Sequence, residues 1–260
     1  MAEQVNLSAE HKDDWALFLP AVSSFFIAGL GRQRKGMDYF PEERIPAGLN
    51  GDVECLNFLN SKQGLYNYKW GLYSAGHADL DITSDNPNES IIREREEGTF
   101  MLGDSGGFQI MKGQWPADWK DPNCPKAMKQ RKKVLSWMDE YMDYGMCLDI
   151  PSMILMKTDL VDKHGITTIE ECKIATHINN DYFIHHRSGA CKFLNVLQGQ
   201  THTQSDEWYE EFKMYADPAV YPDNHFNGWA FGGQNKIDIH LMLRRIVFLI
   251  HDGLLGEGKH

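Results

Sequence analysis

From residue 99 onward, short apolar runs alternate with helical patterns, and each run ends in a polar or glycine-bearing turn. Thr99–Gly103 reads as a strand that ends at Asp104. Pro125–Tyr144 reads as a helix, because Val134, Leu135, Met138, Tyr141 and Met142 share one face, with Gly145 as its stop. A strand over Met146–Ile150 follows, ended by Pro151. Thr168 and Glu171 have capping-box spacing and open a helix that runs to His186. Phe193–Leu197 leads into Gln198-Gly199, Ser205–Tyr215 reads as a helix, and Gly228–Phe231 leads into Gly232-Gly233. A helix over Ile237–His251, capped by Gly253, completes the series. Such alternation demands βα units around a parallel sheet. The expected fold is therefore α/β, βα units around a parallel sheet as in βα barrels. In that architecture chemistry sits at the C-terminal ends of the strands, where Asp104, Asp149, Gln198 and Gly232-Gly233 fall.

The region before residue 99 is less regular. Val22–Ala28 reads as a short buried strand ended by Gly29-Leu30-Gly31, and residues 40–98 read as irregular, with one short polar helix near Glu89–Glu97. No repeat or linker divides the chain, so a single domain over residues 1–260 is expected.

The composition narrows the function classes. The chain carries 42% hydrophobic and 24% charged residues, the balance of a soluble globular protein. It shows no secretory signal and no membrane-length apolar run, and its five scattered cysteines suit a reducing compartment, so a cytoplasmic location is expected. No Cys-x-x-Cys is present, and no metal ligands are assigned. The net charge of −11 argues against bulk attraction to nucleic acid, so local patches carry that question. One runs over Arg32, Arg34 and Lys35; a second holds Lys126, Lys129, Arg131, Lys132 and Lys133. Both read most simply as solvated faces; Arg32, Arg34, Lys35, Lys132 and Lys133 are the candidates for phosphate contact.

Gly103-Asp104-Ser105-Gly106-Gly107 also spells the nucleophile signature of chymotrypsin-like proteases. That reading needs an all-β pattern and a His and an Asp earlier in the chain. The helical patterns contradict it, and His77 and Asp79 lie too close together in an irregular stretch.

Read with Phe108-Gln109, Leu148-Asp149, Val196-Leu197-Gln198-Gly199 and Gly228-Trp229-Ala230-Phe231-Gly232-Gly233, the segment resembles the tRNA-guanine transglycosylase family. The four motifs occur in the family's order over about residues 99–258, while residues 1–98 diverge from the tRNA enzymes. The chain looks more like the phage- and island-associated branch that places 7-deazaguanines in DNA. The resemblance implies a fold of the (β/α)8 TIM-barrel type and a base-exchange transglycosylase that replaces guanine with a 7-deazaguanine in nucleic acid, with DNA preferred over tRNA, in a bacterial or phage-infected host cell. It implies that Asp104 contacts the base as an acid/base group, that Ser105 lines the pocket, and that Phe108 stacks on the ring. Gln109 and Gln198 would bond the carbonyl edge, Asp149 would accept from the exocyclic amine and ring N–H, and Gly232 and Gly233 would let backbone approach the base oxygen.

Each of these residues also has a plainer reading: Asp104 as a helix N-cap, Asp149 as a turn residue, Gly106-Gly107 as a tight turn, Phe108 as core, Gln198 as a backbone cap. What favours a site is the occurrence of such groups at four successive strand ends.

The family's aspartate nucleophile and its zinc site have no counterpart in residues 1–260. Six strands at most can be counted against the eight of a closed barrel. The expectation is a barrel incomplete at its C-terminus or completed by a partner subunit or homodimer. A non-catalytic base-binding module or accessory subunit stands as the alternative function, and an unrelated barrel hydrolase as a third.

Overall fold

The computed structural model describes residues 17–36, 48, 53–85, 87–232 and 238–255. Five parallel strands form one sheet in sequential order: β1 (Trp70–Ser74), β2 (Phe100–Asp104), β3 (Tyr144–Met146), β4 (Lys192–Leu197) and β5 (Gly228–Phe231). A parallel bridge from Ala21 to Leu72 adds a rudimentary sixth position beside β1. The helices are α1 (Ser24–Arg34), α2 (Ser90–Arg93), α3 (Gly107–Met111), α4 (Pro125–Tyr141), α5 (Val161–His164), α6 (Ile169–His186), α7 (His202–Phe212) and α8 (Ile239–His251). The long helices pack in series, α4 on α6, α6 on α7 and α7 on α8. The expected α/β class with a parallel sheet is what the chain adopts.

Glycines set the fit of helix on sheet. A Cβ on Gly103 would lie 2.9 Å from Met142, and one on Gly145 would lie 2.9 Å from Met138. Both glycines pair in register across β2 and β3, so this face of the sheet turns toward α4. Tyr73, Met101, Phe193 and Leu197 share that face and are buried. The opposite face, with Trp70, Leu72, Phe100, Tyr144 and Leu194, is half-buried.

Several expectations are corrected. Val22–Ala28 is not a strand: Pro20 and Val22 bond Leu72 through the backbone, and the chain then turns into α1 at Ser24. A short apolar run fits either state, and here Ile27 and Leu30 recur on one helical face and are buried. Gly145 does not stop a helix. The α4 helix ends at Tyr141, Met142 is already extended, and Gly145 is the centre of β3, where its missing side chain admits Met138. The strand therefore covers Tyr144–Met146 rather than Met146–Ile150, and Asp149 lies in the loop beyond it. Within the stretch read as irregular, Trp70–Ser74 is a full sheet strand.

Elsewhere the local signals hold. Pro125 occupies the first turn of α4, Thr168 accepts from the Glu171 N–H at the start of α6, and β5 has the predicted bounds. Among the described residues no helix is long and apolar enough to cross a membrane.

Candidate nucleobase site

The strand ends converge as the alternation requires. Asp104 closes β2, and its Oδ2 accepts from Ser74 Oγ, at the end of β1, at 2.6 Å. It does not cap α3: the N-cap there is Gly106, with no side-chain cap bond. Gly106 has φ +86°, a conformation glycine adopts without strain, and a Cβ there would also meet Trp115 at 2.5 Å. A Cβ on Gly107 would lie 2.5 Å from the Asp149 carbonyl oxygen, so this glycine lets α3 close on the loop after β3.

Asp149 is held from behind. Leu148 O accepts from Asn179 Nδ2 at 2.7 Å, and Ile150 N–H donates to Thr176 Oγ1 at 2.9 Å, both on α6. Asn179 in turn accepts from Arg131 Nε. Arg131, read from sequence as part of a basic surface cluster, is buried and backs the site's loop from α4. Asp149 is itself buried, and its Oδ2 accepts from Gln198 Nε2 at 2.6 Å. Gln198 Oε1 faces the Ser152 N–H at 3.3 Å and Oγ at 3.4 Å. Burial pushes the Asp149 carboxyl up to about 7; the Gln198 bond opposes this, and the charge of Asp104 adds to it.

Two further groups complete the cluster. Ser105 Oγ and Gln109 Oε1 are buried and have no hydrogen-bond partner among the described residues. Such orphan groups cost about 1–3 kcal/mol each unless a ligand or water meets them. Gln109 is packed over Gly76, where a Cβ would lie 2.0 Å from its amide carbon. Phe108 is 53% exposed, so it is not core; Lys112 Nζ lies 5.3 Å from its ring centroid.

Gly232 follows β5, and a Cβ there would lie 2.1 Å from Gln198 Nε2. Its N–H donates to Leu197 O at 2.9 Å, so the glycine makes room for Gln198 and its own donor is engaged in the sheet. Gly233 lies outside the described residues.

The basic candidates are spread out. Arg34 pairs with Glu54 and Glu94, Lys35 reaches Asn88 at 3.4 Å, and Arg32 lies on the same helix. Lys132 and Lys133 lie on α4, with Lys132 exposed. Among the described residues no group of three His, Cys, Asp or Glu side chains could hold a metal.

Sequence reasoning missed Ser74, Gly76, Ser152 and the Arg131–Asn179 support. Ser74 carried a usable signal, an apolar run (Trp70–Tyr73) ending in a small polar residue.

Two concavities lie elsewhere. One of about 140 Å³ sits at the N-terminal ends of β3–β5, lined by Tyr144, Lys192 and Asn227. The other, about 450 Å³, is a groove between Pro116–Lys126 and Asp162–Gly165. Neither combines buried orphan donors or acceptors with a carboxylate of raised pKa, so the strand-end cluster is the better candidate. No protein-family model, no curated protein and no solved structure matches this chain.

Proposed function

We propose that the strand-end cluster binds a guanine-type base and that the chain acts as a transglycosylase, exchanging guanine for a 7-deazaguanine in nucleic acid, with DNA preferred over tRNA. The sequential order of the strands supports a βα barrel as the scaffold, because right-handed crossovers stepping one way place every helix on one face. The observation that carries the reading is Asp149: a buried carboxylate whose side-chain partner among the described residues is the Gln198 amide, beside the orphan Ser105 and Gln109 groups. A planar base edge supplies N–H donors to such a carboxylate and to an acceptor such as Gln109 Oε1, and its carbonyl accepts from a hydroxyl such as Ser105 Oγ or from an amide N–H.

The resemblance sets the roles. Asp149 accepts from the ring N–H and exocyclic amine, Gln109 and Gln198 serve the carbonyl edge, and Asp104 contacts the base as an acid/base group. Phe108 offers an exposed ring for stacking, and the base enters flipped from its helix. Asp104 is already bonded to Ser74, and this favours a second reading in which residues 1–260 are a base-binding module rather than the whole catalyst.

Calorimetric titration with guanine and 7-cyano-7-deazaguanine, beside Asp149→Ala, is the test. Binding by the parent and none by the variant is expected. The acceptor role requires ionised Asp149, so affinity rises about tenfold per pH unit up to about pH 7 and is flat above it. Binding that strengthens toward acid pH contradicts the assignment.

A further inference from the structure

Arg131 lies within α4 and is 1% exposed, and its bonding partners among the described residues are all neutral: the Asn179 amide, the Trp119 carbonyl and the Trp119 ring. Burial pushes its pKa down; Cys124, Tyr182 and Asp121 act in the opposite sense without forming an ion pair. Arginine stays protonated all the same. A cation buried without a counterion weakens a fold, and an apolar side chain of similar volume often serves stability better. The donors of Arg131, however, orient two chains of groups that end at the strand-end cluster. Its Nε–H donates to Asn179 Oδ1. An N–H can only donate and Leu148 O can only accept, so one orientation of the Asn179 amide serves both, with Oδ1 toward Arg131 and Nδ2 toward Leu148. The rotated amide would set donor against donor and oxygen against oxygen. Held this way, Asn179 fixes the peptide group before Asp149, as Thr176 fixes the one after it.

The second chain leaves from Nη2, which faces Trp119 O at 3.4 Å. Trp119 Nε1 donates to Trp115 O at 3.2 Å, and Trp115 abuts Gly106. Gly107 in turn abuts the Asp149 carbonyl; in both cases the neighbour lies 2.5 Å from where a Cβ would stand. The Gly106-Gly107 step, between Ser105 and Gln109, is thus gripped from two sides, and both grips lead back to Arg131. We propose that Arg131 is a positioning residue of the nucleobase site: it touches no base, but it fixes the Asp149 loop and the Trp115 loop on either side of the Gly106-Gly107 step, and base affinity depends on that spacing. The assignment rests on the base-binding reading above. It gives the buried cation a task that no apolar residue performs, because only a donor orients Asn179. Binding groups whose supports are loose sample several positions, and small displacements cost affinity.

Arg131→Met in the full chain is the test, because methionine fills an apolar site of that length and the variant should keep the fold. Should it not fold, Arg131→Lys, which keeps the charge without the planar fork, is read by the same criteria. Guanine affinity by calorimetry should fall at least about tenfold. The second readout needs no base: an NMR titration of the side-chain carboxyls, with Asp149 assigned by comparison with Asp149→Asn. Asp104, Cys147 and Cys172 also act on the Asp149 carboxyl, and all three stay in place in the variant. The midpoint, raised from 3.8 to about 7 in the parent, should move down, because a loosened loop lets water reach the carboxylate. Loss of a positive charge would by itself move it up, so the sign separates positioning from simple electrostatics. An unchanged or raised midpoint overturns the proposal, as does parent affinity in the variant. Arg131→Met/Asn179→Ala should bind no more weakly than Asn179→Ala alone; losses that add show that Arg131 does not act through Asn179 and overturn the relay. A parent that binds no guanine removes the proposed function, and the titration then still decides whether Arg131 positions Asp149.

Discussion

Asp143 and Asp149 stand six residues apart at opposite ends of β3, and their surroundings differ in kind. Asp143 precedes the strand. Its Oδ2 accepts from Arg95 Nη2 at 3.0 Å and from the Met101 N–H at 2.7 Å, which ties the turn after α2 and the strand β2 to the start of β3. Asp149 follows the strand, is buried, and has an amide in place of a cation. The first carboxylate closes a structural network; the second is left under-compensated among orphan polar groups. On the proposed function the two ends of the sheet divide the labour, fold at the N-terminal end and chemistry at the C-terminal end.

The largest expected effect tests whether Asp149 is under-compensated. Its carboxyl is raised from 3.8 to about 7, so the folded state holds a proton that the unfolded chain releases. Stability from this group is present at acid pH, falls as pH rises from about 4 to about 7, and is level above that. The fall amounts to roughly 4 kcal/mol, because each tenfold difference in proton affinity between the folded and unfolded chain is worth about 1.4 kcal/mol. Asp149→Asn removes the titration, so urea denaturation should find the variant gaining on the parent between pH 5 and pH 8 while base binding is lost. A difference that does not change with pH would erase the contrast with Asp143.

Arg95→Ala probes the other end. Arg95 donates to Thr99 O, Ile92 O and Tyr141 O as well as to Asp143. Its loss should cost about 1–3 kcal/mol, because part-buried carbonyl acceptors are left without donors. Base affinity, measured below the denaturation midpoint, should stay within about twofold of the parent. A large loss of affinity at retained fold would show that the two ends are coupled.

How far this division was legible in the sequence depends on the residue. Asp104, Gln198 and Gly232 were legible at strand ends because each closes a short apolar run, whereas Asp149 was read as closing a strand over Met146–Ile150 and lies in the loop after β3. The β5 bounds were readable because glycine flanks its apolar core on both sides. Ser74 was hidden because β1 lies in a stretch punctuated by Gly, Asn and Pro, which masks a five-residue strand. Val22–Ala28 misled because an apolar run of that length has no period of its own. Arg131 was invisible among lysines; only packing against Trp119 and Asn179 distinguishes it from its exposed neighbour Lys132. The α8 helix was readable as apolar, but which of its faces meets α7 is a tertiary fact.

Gly232→Ala should act within the site and cost less. The new Cβ would lie 2.1 Å from Gln198 Nε2, so that buried amide must move and Asp149 loses its donor. A stability loss of about 2 kcal/mol is expected, together with weakened base binding. Gly98→Ala is the matched control: no atom lies near its Cβ position, and its φ of +81° alone should cost about 1 kcal/mol. Equal effects on binding would show that Gln198 is not what the glycine serves.

The smallest expected change in stability is at Phe108. Its ring is exposed and touches little beyond Lys112, so Phe108→Ala should alter unfolding free energy by less than about 0.5 kcal/mol. Base affinity should nevertheless fall by about 1–3 kcal/mol, because the ring would no longer stack on the base. The ratio of the two effects is the informative quantity. At Arg95 stability changes and binding does not, whereas at Phe108 binding changes and stability does not. If Phe108→Ala lowered stability as much as affinity, the ring would belong to the fold and the stacking role would fall, leaving Asp149 and its amides as the whole of the recognition surface.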